Sequence, residues 1–129
     1  METLLLRPHP QRGPVFIREI QGIAWILSPH SPLDTLNETE ITAEILELLE
    51  VINHSPAANL IVDLQQEEFV VSLFLGAVVR LWKRVGERGG RLVMCNVSDN
   101  VSQVLRVTKL HALWPIHGSR EDALHALGM

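Results

Sequence analysis

Apolar positions along this chain fall first in short runs and then recur at helical spacing, and the switches between the two predict its elements. Two runs rich in β-branched and aromatic residues, Val15 to Ile20 and Ile23 to Leu27, flank a Gln21-Gly22 turn. This is the pattern of an antiparallel hairpin. Ser28-Pro29-His30-Ser31-Pro32 closes the second strand, because each proline fixes φ and removes a backbone donor. Asn37-Glu38-Thr39-Glu40 has the form of a capping box. Behind it, Ile41, Ile45, Leu48, Leu49 and Ile52 form the apolar stripe of a helix, with Glu44, Glu47 and Glu50 expected towards the other face. Asn53-His54-Ser55-Pro56 stops that helix.

Leu60 to Leu64 is a nearly continuous apolar run, as in a central strand covered on both faces. A polar stretch, Gln65 to Glu68, leads through Phe69-Val70-Val71 to Ser72, which is expected to cap a long helix ending near Gly89-Gly90. On a helical wheel Phe74, Leu75, Val78, Val79, Leu81, Trp82 and Val85 share one side. Arg80, Lys83, Arg84, Glu87 and Arg88 share the other, and Leu73 falls among these polar residues as an exposed apolar group. Arg91 to Cys95 predicts a second buried strand, and Ser98-Asp99 opens a short helix with Val101, Val104, Leu105 and Thr108 inward. Pro115 assigns the short strand near Leu113 to His117 to an edge or an irregular position. Ser119 to Asp122 caps a last helix carrying Ala123, Leu124 and Leu127. The order ββαβαβαβα implies an α/β layered fold: a mixed, mainly parallel sheet of about five strands with about four helices.

At 129 residues the chain is expected to form one domain over 15–129, after a leader over 1–14 whose Leu4-Leu5-Leu6 run is too short for a signal peptide or a span. Apolar stretches elsewhere are broken by charge, so no membrane contact is expected. The net charge of −4 excludes a general nucleic-acid binder. That total hides an asymmetry. Residues 1–71 hold three basic against eleven acidic residues, whereas 72–129 hold eight against four. A single cysteine, Cys95, fits a reducing cytoplasm and excludes a disulfide framework.

No catalytic constellation emerges, so neither enzyme activity nor a cofactor is expected. The six histidines lack metal-ligand spacing. Cys95 ends a buried strand with no activating neighbour in sequence. Gly86 to Gly90 follows a helix and precedes a strand, the reverse of a phosphate-binding loop. Asp63 ends a strand, and Glu67 and Glu68 occupy a solvated loop.

The segment Asn59 to Leu64, then Phe69 to Ser72, Leu75-Gly76, Leu81 to Arg84, Gly89 to Val93 and Asn96 to Ser98 resembles the STAS domain of bacterial anti-sigma factor antagonists. Val101 to Leu105, Thr108-Lys109-Leu110 and Ser119 to Leu127 extend the likeness over roughly residues 59–127. In that family Asp-Ser-Ser/Thr-Gly opens the second helix, and its first Ser is phosphorylated by a kinase that also serves as an anti-sigma factor. Here the sequence is Val71-Ser72-Leu73-Phe74, so only the phosphoacceptor position keeps its residue. The resemblance therefore implies a regulatory, non-enzymatic module that binds an anti-sigma factor or serine kinase-like protein in partner switching. Ser72 is the phosphorylation candidate, and Leu73, Phe74, Gly76, Ala77 and Arg80 are the partner-binding candidates. A non-phosphorylated STAS scaffold or homo-oligomer is the alternative, and a small-molecule binder using the strand ends near Cys95, Asp63 and Ser72 is the third reading.

Overall fold

The computed structural model describes residues 16–22, 24–29, 37–55 and 59–128. The expected leader over 1–14, together with Val15, Ile23, His30 to Pro32 and Pro56, lies outside the described residues. Strands β1 (Phe16–Gln21) and β2 (Ala24–Pro29) form the expected antiparallel hairpin, with Gln21 opposite Ala24. Gly22 takes φ +56°, the left-handed conformation that a glycine adopts without steric cost. β2 runs two residues past the expected end at Leu27, pairing Ser28 and Pro29 with β1. A proline at the last position of a strand removes no ladder bond further along.

Helix α1 (Glu38–His54) starts where the capping box placed it, with Asn37 Oδ1 accepting from Glu40 N–H at 2.9 Å. Next come β3 (Asn59–Asp63), α2 (Ser72–Glu87), β4 (Leu92–Cys95), α3 (Asp99–Val107), a 3-10 turn at Leu110–Ala112, β5 (Ile116–His117) and α4 (Arg120–Ala126). The sheet order is β1-β2-β3-β4-β5, with only the β1–β2 pair antiparallel. β3 is central and β5 is an edge, one of the two positions that Pro115 allowed.

Right-handed crossovers that always advance in one direction put their helices on one face. Ile41, Ile45, Leu48 and Ile52 of α1 accordingly pack with Leu75, Val78, Leu81 and Val85 of α2 and with Val101 and Leu105 of α3, over Leu60, Val62, Leu92 and Met94. The alternate strand residues Ala24, Ile26, Ile61, Val93 and Cys95 face the other side, where Ala123 of α4 and Leu127 just after it cover them. No helix among the described residues is long and apolar enough to cross a membrane.

Two face assignments need correction. Glu44 is 5% exposed and Glu40 is also buried, while Glu47 reaches Arg18 of β1 at 3.5 Å; Glu50 is the member of the expected acidic face that stays exposed. The Arg18–Glu47 pair reaches from β1 to α1, a tertiary contact that a single-helix wheel cannot register. In α3, Val104 and Thr108 are exposed. A nine-residue helix seats mainly its Val101/Leu105 pair, and Thr108 instead turns its hydroxyl back to the carbonyls of Val104 and Leu105 at 2.8 and 3.2 Å.

Candidate functional site

The C-terminal ends of the parallel strands meet the loop that leads into α2. Asp63, Cys95 and His117 lie side by side there, in register across β3, β4 and β5. Asp63 is 3% exposed, and both carboxylate oxygens are engaged. Oδ1 accepts from Gln65 N–H at 3.0 Å and from Asn96 Nδ2 at 2.9 Å. Oδ2 accepts from Arg120 of α4, with Nε at 3.1 Å and Nη2 at 3.0 Å, and Nη1 of the same guanidinium reaches Glu19 of β1 at 3.0 Å. Sequence reasoning placed Asp63 at a strand end and gave it no ionic partner. Its partner lies 57 residues away, so no local signal announces the pair.

This carboxylate anchors an unusual turn. Gln65, Gln66 and Asn96 all take left-handed φ, at +53°, +62° and +54°. For non-glycine residues that conformation costs about 1–2 kcal/mol each and persists only where surrounding bonds impose it. Here Leu64 N–H donates to Cys95 O at 3.1 Å and Gln66 N–H to Asn96 O at 2.8 Å. The Ser98 hydroxyl donates to Glu67 O at 2.8 Å, and Asn100 Nδ2 to Glu68 Oε1 at 3.0 Å. The approach to α2 is thus stitched to the β4–α3 connection and carries Phe69 outward, 60% exposed.

At the end of this loop Ser72 is not the cap that its sequence context suggested. Val71, extended at φ −99° and ψ 153°, holds the N-cap position, and its carbonyl accepts from Phe74 and Leu75 N–H at 3.0 and 3.3 Å. Ser72 is therefore the first helical residue, one step too far along for its hydroxyl to close the first turn. It is exposed, with no capping bond.

Leu73, expected to be exposed, is half-buried and packs against the core. Phe74 is 2% exposed and belongs to that core, so it supports the surface from beneath and offers a partner no contact of its own. Ser72, Leu73, Gly76, Ala77 and Arg80 line one wall of a recess of about 360 Å³, and α1 supplies the other through Glu38, Ile41, Thr42 and Ile45. Five of the six sequence candidates thus share one groove.

Asp63 and Cys95 lie on the α4 side of the sheet, away from that groove. Burial, with the Asp63 charge adding and Arg120 opposing, pushes the Cys95 thiol up to about 12. A neutral, enclosed thiol is a poor nucleophile. Among the described residues no group of three His, Cys, Asp or Glu side chains could hold a metal ion.

The family model for the STAS domain matches residues 15–123. The chain belongs to this family. Among solved structures, an anti-sigma-factor antagonist (STAS) domain protein from Planctomyces limnophilus is 27% identical, with a TM-score of 0.76 over 88% of this chain and 98% of that one. The unphosphorylated form of the anti-sigma factor antagonist SpoIIAA shares the fold at 17% identity, with a TM-score of 0.71 over 84% of this chain and 92% of that one. The anti-sigma F factor antagonist of Paenibacillus polymyxa is 24% identical over 82 residues, which are 64% of this chain and 70% of that protein. The five-strand, four-helix architecture is that of STAS domains, and the family places the chain with regulatory modules resembling anti-sigma factor antagonists.

Proposed function

We propose that this STAS domain is a non-enzymatic, cytoplasmic protein-binding module of a partner-switching system, that it engages an anti-sigma factor or serine kinase-like protein through the first turns of α2, and that Ser72 is its phosphoacceptor. One observation carries the reading: Ser72 is exposed on the first turn of α2, free of capping duty, at the rim of the α1–α2 groove. The buried, protonated Cys95 thiol supports binding over catalysis.

Phosphate at Ser72 would add about −1.5 to −2 charge. The first turn of α2 holds no acidic residue to oppose it, and the helix dipole favours an exposed anion there by about 0.3–1 kcal/mol. Across the groove, Glu38 makes that end of the rim more negative still once phosphate is present, while Arg80 sits on the same wall two helical turns further on. A partner seated over the rim would therefore meet added negative charge. The apolar Val71 and Phe74 in the family motif tie the loop–helix junction into the core and leave the hydroxyl outside it.

The test is to mix the protein with anti-sigma kinases encoded in its own genome and measure complex formation and phosphate transfer for the wild type and Ser72→Ala. Binding by both proteins, with transfer to the wild type alone, is expected. Failure to bind any kinase would overturn the partner-switching reading, whereas binding without transfer would remove Ser72 as phosphoacceptor and leave a switchless module.

A further inference from the structure

A second surface lies at the far end of α2, three helical turns from Ser72. Trp82 and Gly86, one turn apart, line two recesses. One, of about 220 Å³, extends past Arg91 to Leu113 and Pro115; the other, of about 410 Å³, opens between Lys83 and Glu87. The half-buried indole therefore stands between two open spaces. Gly86 keeps the room beside it free, since a Cβ at that position would meet nothing within 4 Å. No close packing inside the chain requires a glycine there, although glycine in a helix costs about 1 kcal/mol relative to alanine.

The rim holds two cations, Lys83 and Arg91, against one carboxylate. That carboxylate, Glu87, is engaged by Arg84 at 2.8 Å. Arg91 donates to the backbone carbonyl of Ala126, a neutral acceptor that leaves its charge uncompensated among the described residues, whereas Arg88 turns to the carbonyls of Asn53 and Ser55 at the end of α1. Lys83 is exposed beside the larger recess.

We propose that this cleft docks an acidic segment of a partner protein, which inserts one apolar side chain beside Trp82 and sets its carboxylates against Lys83 and Arg91. The aromatic wall and adjoining apolar space match the anchor pockets on which protein interfaces concentrate their affinity, and the two cations complement the segment's charge. A short segment fits better than a nucleic acid. Screening confines the patch's attraction to roughly 8 Å at physiological salt, and an extended polyanion would also meet a protein of net charge −4. The contact does not depend on Ser72.

Titration of the isotope-labelled chain, followed by NMR, tests this with four probes: a short acidic peptide with a central leucine, the same peptide with glycine at its centre, the leucine peptide with lysines in place of its acids, and an oligothymidylate of equal length. The acidic leucine peptide is expected to shift the Trp82 indole and Gly86 amide resonances, with weaker effects from the glycine and lysine versions. Lys83→Glu should weaken binding by roughly fivefold, the scale of one exposed charge contact. Gly86→Leu, which fills the recess and favours the helix, should abolish it while circular dichroism shows the fold intact. No shift at millimolar acidic peptide, or equal shifts with the lysine peptide, would overturn the proposal. Stronger binding of oligothymidylate would also overturn it and assign the cleft to nucleic acid.

Discussion

Replacing Arg120 by methionine isolates the contact that ties α4 to the end of β3. The change keeps most of the apolar stem but removes the guanidinium that holds Asp63 through Nε and Nη2. Asp63, 3% exposed with Arg120 in place, keeps Oδ1 accepting from Gln65 and Asn96 while Oδ2 is left without a donor. Removing one partner of a buried pair costs about 3–5 kcal/mol. Two surviving hydrogen bonds and the 30% exposure of Arg120 put the expected loss at the low end, about 3 kcal/mol. That is a large share of the roughly 5–15 kcal/mol that holds a domain folded, and corresponds to a fall in Tm of about 10 °C for a chain of this size. Urea unfolding followed by tryptophan fluorescence measures it directly. In Asp63→Asn the loss should be smaller, because Arg120 can turn to solvent, and the double variant should recover part of the Arg120→Met loss. Additive single losses, or an Arg120→Met protein within 1 kcal/mol of wild type, would refute the view that this pair anchors the turn.

Glycine substitutions should diverge. Gly76→Ala places a Cβ where nothing lies within 4 Å and should stabilise the protein by up to about 1 kcal/mol, whereas Gly89→Ala, at φ +81°, should destabilise it by about as much; both are read from thermal melts. Cys95 should resist a thiol reagent at pH 8 until the protein is unfolded, and rapid labelling of the native protein would contradict its burial. Burial raises the Glu47 carboxyl above its ordinary 4.5, with the Arg18 charge lowering it and the Glu44 charge raising it. A raised folded value favours the protonated form, so this group's contribution is fully present below pH 4.5 and is lost as pH rises through the folded value. Glu47→Gln should flatten that part of the stability profile, and an unchanged profile would show that the burial is not felt.

Elements governed by neighbouring residues could be read from the chain. The Asn37, Ser98 and Ser119 caps each act within three residues, and all three form as expected. The long apolar stripe of α2 likewise fixes its own buried face. What was hidden depends on residues far apart. The burial of Glu44 is a product of tertiary packing, and the Asp63–Arg120–Glu19 network joins three elements that only the finished sheet brings together. Ser72 was misread by one position because serine commonly caps helices. In this chain the left-handed turn at Gln65-Gln66 and the apolar seating of Val71 set where α2 begins. Five of the candidate side chains could be gathered from their spacing on α2, while the α1 wall of their groove is a product of tertiary packing.

The strand order β1-β2-β3-β4-β5 has a consequence for how the molecule is made. Every pair of neighbouring strands is also consecutive along the chain, so each crossover can close on a template already in place as the polypeptide leaves the ribosome. The Arg120 link to Glu19 is the exception, spanning 101 residues and joining nearly the first strand residues to the last helix. Until α4 docks, Asp63 lacks its cation and the turn before Ser72 lacks its full set of restraints. A nascent chain can therefore complete most of its sheet while the turn before α2 is still immature, and the surface proposed for binding is finished only when the final helix docks.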